Sequence, residues 1–396
     1  MTATDVQERA VLLAADLAQQ LTDDGVLHSP EWNTALRSVL RHLFVPRYVD
    51  QRPDGSWRTV SGDDPDTVDE WLAAVYANRP LTTAVRTDTN GHTVAISSSS
   101  KPGLMVRMLE TLEIRDGHRV LEIGTGTGWN AGLLCQRLGA ASVVSVDIEA
   151  DLVASAQGRL ADLGFAPVVA AVDGTQGFPD AGPFDRIIAT CSVARVPWQW
   201  VEQLAPDGRL LTDLKITGAA GNLVDLRRTA TGMQGRFLPQ WAGFMPLRDT
   251  NSAGTRAARR PASVERTTTV QTARPWWDQL VVWFLAALHL PPGITTGVTL
   301  DPERRTPVAA TMRADNGAWA EVRLAADDAG RRIVRGSAED LWAAVERAYA
   351  VWEQLGRPGW ADFGVTVTGR EQRAWYGTPD GEHSWALPDS EHTFDI

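Results

Sequence analysis

The chain has 396 residues, 43% hydrophobic and 22% charged, and shows no apolar run approaching the ~20 residues needed to cross a bilayer. Its formal net charge of -11 opposes nonspecific adhesion to nucleic acid, which needs clustered Lys and Arg. The cysteines, Cys135 and Cys191, lie in separate segments, which excludes a disulfide framework and offers no zinc-type pair, so any cofactor is expected to be organic.

Cores divide beyond roughly 250 residues, so more than one domain is expected. The start, MTATDVQERAVLLAADL, has no basic segment ahead of an apolar core. It reads as a helix and not as a secretion signal, which implies a cytoplasmic protein. Residues 1-100 form an N-terminal region of mixed helix and loop, in which Gly62-Asp63-Asp64-Pro65-Asp66 is an exposed turn.

From Pro102 to about Leu214 helical and strand periods alternate. Strands are expected at 119–123, 142–146, 168–172, 184–189 and 208–211, and helices at 131–138, 152–163 and 198–204. That is the order of an α/β, Rossmann-like, doubly wound sheet. The stretch DTNSAGTRAARRPA, 249–262, is polar and without period and reads as a linker. An α+β extension follows over 251-396. Within it Leu341, Val345, Ala348, Trp352 and Leu355 recur at helical steps behind Ser337, with Asp340 three residues on, a capped-helix pattern. Residues 363–368 alternate as a strand.

Glu122-Ile123-Gly124-Thr125-Gly126-Thr127-Gly128 sits between an expected strand and an expected helix. A tight turn there needs residues without Cβ, so that backbone approaches a ligand closely and adopts positive φ. Asp147 ends the next strand about 20 residues on, where a carboxylate accepts hydrogen bonds from ribose hydroxyls. Asp173-Gly174 follows the third strand, placed to bind adenine. The plain alternative is an ordinary strand-to-helix turn. A sharper rival is a dinucleotide fingerprint, since Gly126-Thr127-Gly128-Trp129-Asn130-Ala131 fits a relaxed form of it. Bulky Trp129 beside Gly128, with Glu122 suited to a cationic methionine group, favours a sulfonium cofactor.

The residues then resemble a known family. KPGLMVRMLETLEIRDGHRVLEIGTGTGWNAGLL, from Lys101, is similar to the protein-L-isoaspartate O-methyltransferases in motif and spacing. So are Arg41-His42-Leu43-Phe44-Val45-Pro46, Tyr76-Ala77-Asn78-Arg79-Pro80-Leu81, Pro183-Phe184-Asp185 and Phe244-Met245-Pro246-Leu247, in that order. The resemblance spans about 30 to 250. It implies a class I methyltransferase fold over 101-250, with S-adenosyl-L-methionine as cofactor and S-adenosyl-L-homocysteine as its product. By match, Glu122, Gly124, Thr125, Gly126 and Gly128 line the methionine end, Asp147 and Ile148 the ribose, and Asp173 and Gly174 the adenine, with Thr190 close by.

The family's substrate loop carries a serine before a variable position and a proline, which here are Ser100, Lys101 and Pro102. Upstream, where the family usually has Thr-Ile, this chain has Ser97-Ser98-Ser99. That run and the extension together resemble an actinobacterial branch that tailors ribosomally made peptides such as lanthipeptides, lasso peptides and graspetides through aspartimide formation. The implied substrate is a peptide or protein, in that branch a macrocyclic precursor peptide recognised by residues 251-396.

Methyl transfer to a carboxylate needs no general base, because an aspartate with pKa about 3.9 is already ionised at pH 7. Positioning is the task. A serine hydroxyl donates to a carboxylate oxygen without adding charge, and Ser100 is read in that role with Ser97, Ser98 and Ser99 as further donors. A solvated turn is the ordinary alternative for such a run. Lys101, Cys191 and Ser192 are read as lining the substrate cleft, with no nucleophilic part for Cys191. His42 reads as a structural hydrogen-bonder, and His383 and His392 as solvated. Nine of the sixteen tryptophans lie beyond residue 250, mostly as core, with one or two exposed rings to grip a peptide. The competing functions are general isoaspartyl repair and a non-catalytic cofactor-binding module.

Overall fold

Thr2 and Asp5 cap the first helix reciprocally: the Thr2 hydroxyl accepts from the Asp5 N–H at 3.2 Å and the Asp5 carboxylate accepts from the Thr2 N–H at 2.8 Å. The helix, α1 (Ala3–Asp23), buries Ala10, Ala14, Leu17, Ala18 and Leu21 along one face. The computed structural model describes residues 2–52, 54–87, 91, 93–248, 264–291 and 293–388. The expected linker 249–262 and His392 lie outside the described residues. Two compact units emerge, Met1–Thr190 with Gln199–Leu211, and Cys191–Trp198 with Thr212–Ile396.

In the first unit α1 is followed by α2 (Pro30–Ser38), β1 (Arg47–Gln51), β2 (Trp57–Ser61), α3 (Val68–Tyr76), β3 (Leu81–Thr87) and β4 (Thr93–Ser99). The strands form a four-stranded antiparallel sheet in the order β2-β1-β3-β4. Sequence reading had only helix and loop here. These strands are short and mixed, such as Leu81–Thr87 (LTTAVRT), and their burial does not alternate cleanly, so the period-2 signal is weak. The tract at 62–66 is the turn expected between β2 and α3.

The parallel core comprises α4 (Pro102–Thr111), β5 (Val120–Ile123), α5 (Trp129–Leu138), β6 (Val143–Asp147), α6 (Ala150–Asp162), β7 (Val168–Ala171), β8 (Phe184–Val193), α7 (Trp198–Glu202) and β9 (Leu204–Lys215), all within this unit except residues 191–193 of β8, Trp198 of α7 and residues 212–215 of β9. Its order is β7-β6-β5-β8-β9, with β5 parallel to both β6 and β8. All four residues of β5 are buried, as a central parallel strand covered on both faces requires. Chain order reverses beside β5, and in such sheets the crevice at that switch point takes the ligand.

The second unit contains β10 (Gly221–Thr229), β11 (Gly232–Phe237), β12 (Val264–Thr268), α8 (Pro275–Asp278), α9 (Leu280–Ala287), β13 (Thr295–Leu300), β14 (Pro307–Arg313), β15 (Trp319–Arg323), β16 (Arg332–Gly336), α10 (Trp342–Gln354), β17 (Phe363–Thr368), β18 (Gln372–Tyr376) and β19 (Ser384–Ala386). β10, β11, β17, β18 and β19 are neighbours in that order, and β12-β16-β15-β14-β13 is a separate five-stranded sheet. Phe237, Phe284, Trp360 and Phe363 pack ring to ring at its core.

Domain divisions expected at 100 and 250 differ from these units. The N-terminal hundred residues group with the glycine loop, and residues after 212 group with the extension because β11 pairs antiparallel with β17. Two finer readings are corrected. Ser337 does not cap α10: its hydroxyl donates to Trp319 O and Glu339 O, and Asp340 instead accepts from the Ala343 N–H. His383 is half-buried and stacked on Trp385 at an interplanar angle of 17°. Among the extension's tryptophans Trp276, Trp283, Trp360 and Trp375 are buried, Trp352 is half-buried, and Trp277 is 70% exposed under the Arg274 guanidinium.

Candidate functional site

The glycine loop leaves β5 through three left-handed residues, Gly124 (φ 97°), Gly126 (φ 50°) and Gly128 (φ 87°). Gly124 and Gly128 also lack room for a side chain. A Cβ on Gly124 would stand 2.7 Å from Thr190 Oγ1, and one on Gly128 would stand 2.9 Å from the Ala156 Cβ. Beside Gly126 there is space, the nearest atoms to a Cβ being Ser97 Oγ and Ser98 O at 3.7 Å. That is the close backbone approach a bound ligand needs. The Gly124 and Thr125 N–H groups donate to Val146 O at 2.8 and 3.1 Å, so the loop is pinned across to β6.

Thr190, just past the stretch of β8 that pairs with β5, donates its hydroxyl to Gly124 O at 2.7 Å and also meets Ile123 O at 3.2 Å. It braces the loop. Glu122 is likewise committed to protein partners. Its carboxylate is fully buried and accepts from Asn130 Nδ2 at 2.7 Å and Ser145 Oγ at 2.5 Å, while Ser145 Oγ lies 2.6 Å from Thr125 Oγ1. Burial pushes this carboxyl up to about 7, against the two hydrogen bonds that favour its charged form. The same desolvation raises the Cys135 thiol to about 12, with the Glu122 charge adding to it.

Asp147 ends β6 with Oδ2 accepting the Gly126 N–H at 2.9 Å and Oδ1 accepting the Glu149 N–H at 3.1 Å. Its half-buried carboxylate keeps further lone pairs for hydroxyl donors. Ile148, also half-buried, is next to it. Asp173 uses Oδ1 to accept from both Thr175 N and Thr175 Oγ1, and Gly174 O accepts from the Trp200 indole at 2.8 Å. These acids stand at the carboxyl ends of β6 and β7, on the same edge as the glycine loop.

Ser97, Ser98 and Ser99 form the end of β4, not a solvated turn. Leu81 pairs with Ser99 and Thr82 with Ser98, and the register shifts between Thr82 and Val85, an irregularity that re-aims side chains. Ser97 and Ser99 are buried, whereas Ser98 and Ser100 are half-exposed. Arg41 holds this segment: its guanidinium donates to Ser99 Oγ at 3.1 Å and to Ser99 O and Ser100 O at 3.0 Å each. On the other side of Lys101, which is exposed, Asn78 Oδ1 accepts the Gly103 N–H at 2.8 Å. Ser100 therefore sits between two anchored points.

Phe44 of the signature segment packs on α5, where a Gly132 Cβ would meet its ring at 3.0 Å. Trp129 donates its indole N–H to Val39 O at 2.9 Å, and His42 Nδ1 lies 2.8 Å from the Tyr76 hydroxyl, the structural bond expected of it. Burial lowers His42 to about 4.

Cys191 and Ser192 belong to the second unit. Both are buried, and Ser192 is held by backbone: its N–H donates to Met245 O at 2.9 Å and its carbonyl accepts from Leu247 N at 2.7 Å. Within the same unit the buried Lys215 and Asp213 pair at 2.8 Å, and both hold Phe244, through its carbonyl and its N–H.

Sequence reading missed Ser145, and named Asn130, Asn78 and Arg41 only as members of motifs, with no role for any of them. No window of sequence marks Ser145: it is the parallel register that sets it directly opposite Glu122, so that a buried acid and a hydroxyl share one position across two apolar strands.

The sequence model of the family described as Protein-L-isoaspartate(D-aspartate) O-methyltransferase (PCMT) matches residues 67–248. A protein-L-isoaspartate O-methyltransferase of Methanoculleus marisnigri is 35% identical over 195 residues, covering 49% of this chain and 70% of the relative. Protein-L-isoaspartate O-methyltransferase 1 of Archaeoglobus fulgidus is 31% identical over 241 residues, covering 59% of this chain and 96% of the relative. A solved structure of a protein-L-isoaspartate O-methyltransferase aligns over 94% of this chain and 98% of its own at a TM-score of 0.51 and 19% identity. That likeness is one of fold, and it extends into the C-terminal extension.

Proposed function

The chain belongs to the protein-L-isoaspartate O-methyltransferase family and is an S-adenosylmethionine-dependent carboxyl methyltransferase, and from that premise we propose that it esterifies the free carboxylate of an isoaspartyl residue, or the side-chain carboxylate of an aspartyl residue, in a peptide. The observation that supports this best is the approach of the serine strand to the glycine loop, with Ser97 and Ser98 nearest to the open side of Gly126. A group laid along the loop and a group held by the serines would be neighbours.

Gly124, Gly126, Gly128, Asp147, Ile148, Asp173 and Gly174 are the residues assigned to the cofactor, with Thr190 and Glu122 holding the loop from behind. When bound, S-adenosylmethionine supplies a methyl group whose bond to sulfur breaks as its bond to a carboxylate oxygen forms. Ser100 is assigned to orient that oxygen, Ser98 to offer a second hydroxyl, and Lys101 to flank the peptide. Orientation of this kind contributes several kcal/mol to the rate. The ester is more reactive than the acid. Attack by the next backbone nitrogen then closes an aspartimide with loss of methanol.

Two peptide classes fit. General isoaspartyl peptides are favoured by the family and by a fold likeness that includes the extension, which therefore need not mark a specialised branch. A macrocyclic precursor peptide, tailored at one aspartate, is favoured by the serine run at 97–99 where the family usually has Thr-Ile, and by the exposed Trp277 as a gripping ring. Offering purified enzyme a linear isoaspartyl hexapeptide and a lactam-bridged aspartyl peptide separates them. Methylation of the first alone supports repair, and of the second alone tailoring. Methylation of neither, together with no binding of S-adenosylhomocysteine, would overturn the carboxyl-methyltransfer reading.

A further inference from the structure

We propose that Arg41 is a positioning residue that also selects for charge, drawing the ionised carboxylate to Ser100 and releasing the neutral ester. This deepens the carboxylate-methylation reading above and rests on it.

Arg41 is 1% exposed. Its guanidinium donates to Ser99 Oγ and to the carbonyls of Val75, Ala77, Arg79, Ser99 and Ser100, over 2.8 to 3.4 Å. The face of Trp129 lies 5.3 Å from the guanidinium carbon, and the Tyr76 hydroxyl is near enough to favour the charge. Every one of these partners is a neutral dipole or a ring, and among the described residues none is a carboxylate. Buried cations are ordinarily paired, because desolvating an uncompensated charge is costly. Burial accordingly lowers this guanidinium to about 9, with the Arg79 charge pushing the same way, yet it stays protonated at neutral pH.

The charge lies one hydrogen bond from the backbone of Ser100, the residue assigned to hold the substrate oxygen. In a partly buried setting two unit charges several ångströms apart still interact appreciably. A substrate carboxylate at Ser100 supplies the counter-charge the pocket lacks. Methylation removes that negative charge, and with it the attraction, so the same device that binds the acid lets the ester go. A clamp that merely held the serine backbone would treat charged and neutral peptides alike.

The test uses whichever peptide class the wild-type enzyme methylates, linear isoaspartyl hexapeptide or lactam-bridged aspartyl peptide, beside its carboxamide and methyl ester counterparts. Binding is measured with S-adenosylhomocysteine present. Wild-type enzyme should bind the carboxylate at least about tenfold more tightly than the carboxamide or ester. Arg41→Gln should abolish that preference and raise KM by about tenfold, with a smaller change in kcat, and Arg41→Lys should restore the preference. Affinity for S-adenosylhomocysteine and melting temperature report folding. Should Arg41→Gln fail to fold, the wild-type comparison and Arg41→Lys decide. Equal wild-type affinity for acid and amide, or an equal loss on both in the Gln variant, overturns this inference alone. A wild-type enzyme that methylates no peptide carboxylate overturns the underlying reading and this inference with it.

Discussion

The Thr190 hydroxyl donates to the Gly124 carbonyl at 2.7 Å and stands equally close to the point where a Gly124 side chain would begin. One atom both braces the loop and forbids a Cβ. Thr190→Val keeps the volume but removes the donor, and should weaken S-adenosylhomocysteine binding about 3- to 10-fold, as expected for a single neutral hydrogen bond. Gly124→Ala adds a clash at φ 97° and should do more, lowering stability by roughly 1–2 kcal/mol as well. Titration calorimetry and thermal melts would show it, and an unchanged affinity in Thr190→Val would rule out the bracing role.

Removing the Ser100 hydroxyl should slow methyl transfer about 10- to 100-fold, the value of one hydrogen bond to a charged group. Cofactor affinity should hold. Thr34→Ala is the control, since the Thr34 hydroxyl is exposed on α2 and bonds only locally, to Pro30 O at 2.9 Å. Steady-state rates that fall equally in both variants would remove Ser100 from its assigned position.

Asp147→Asn keeps the shape of the side chain and loses its charge and one acceptor. Because Asp147 receives the Gly126 N–H, the change affects both the loop and any hydroxyl donors. Loss of about tenfold or more in S-adenosylmethionine affinity is expected. The peptide KM, measured at saturating cofactor, should move little.

Glu122 and His42 oppose each other in acid. Glu122, raised from 4.5 to about 7, holds its proton more tightly in the folded chain. Its contribution to stability is complete below 4.5 and is lost as pH rises through about 7. His42, lowered from 6.5 to about 4, contributes above 6.5 and loses that contribution as pH falls through about 4. Urea midpoints of the wild type relative to Glu122→Gln, in which the His42 contribution cancels, should therefore favour the wild type most at and below pH 4.5. That margin should shrink by on the order of 3 kcal/mol by pH 7.5, and a margin independent of pH would refute it.

Much of this molecule is legible before it folds. The alternation of apolar strands and helices across 119–211, the glycines between β5 and α5, and the acids at Asp147 and Asp173 are local in origin. A buried parallel strand is mostly apolar, a turn at positive φ favours glycine, and an acid follows at a set spacing in chain. What lay beyond reading was whatever depends on residues far apart in sequence. Ser145 is recognisable beside Glu122 only once β5 and β6 are in register. The four-stranded sheet that ends in Ser97–Ser99 is built from segments too short and too polar to announce themselves.

Sequence alone determined that the chain carries a turn able to take a ligand against bare backbone, because steric exclusion around Cβ is a property of each residue by itself. Tertiary structure decided which charges are left uncompensated. Arg41 is only a letter in a signature until folding buries it, 58 residues from Ser99 in sequence, among carbonyls and, among the described residues, without an acid. Desolvation is set by everything that packs around a group, and no window of sequence contains it.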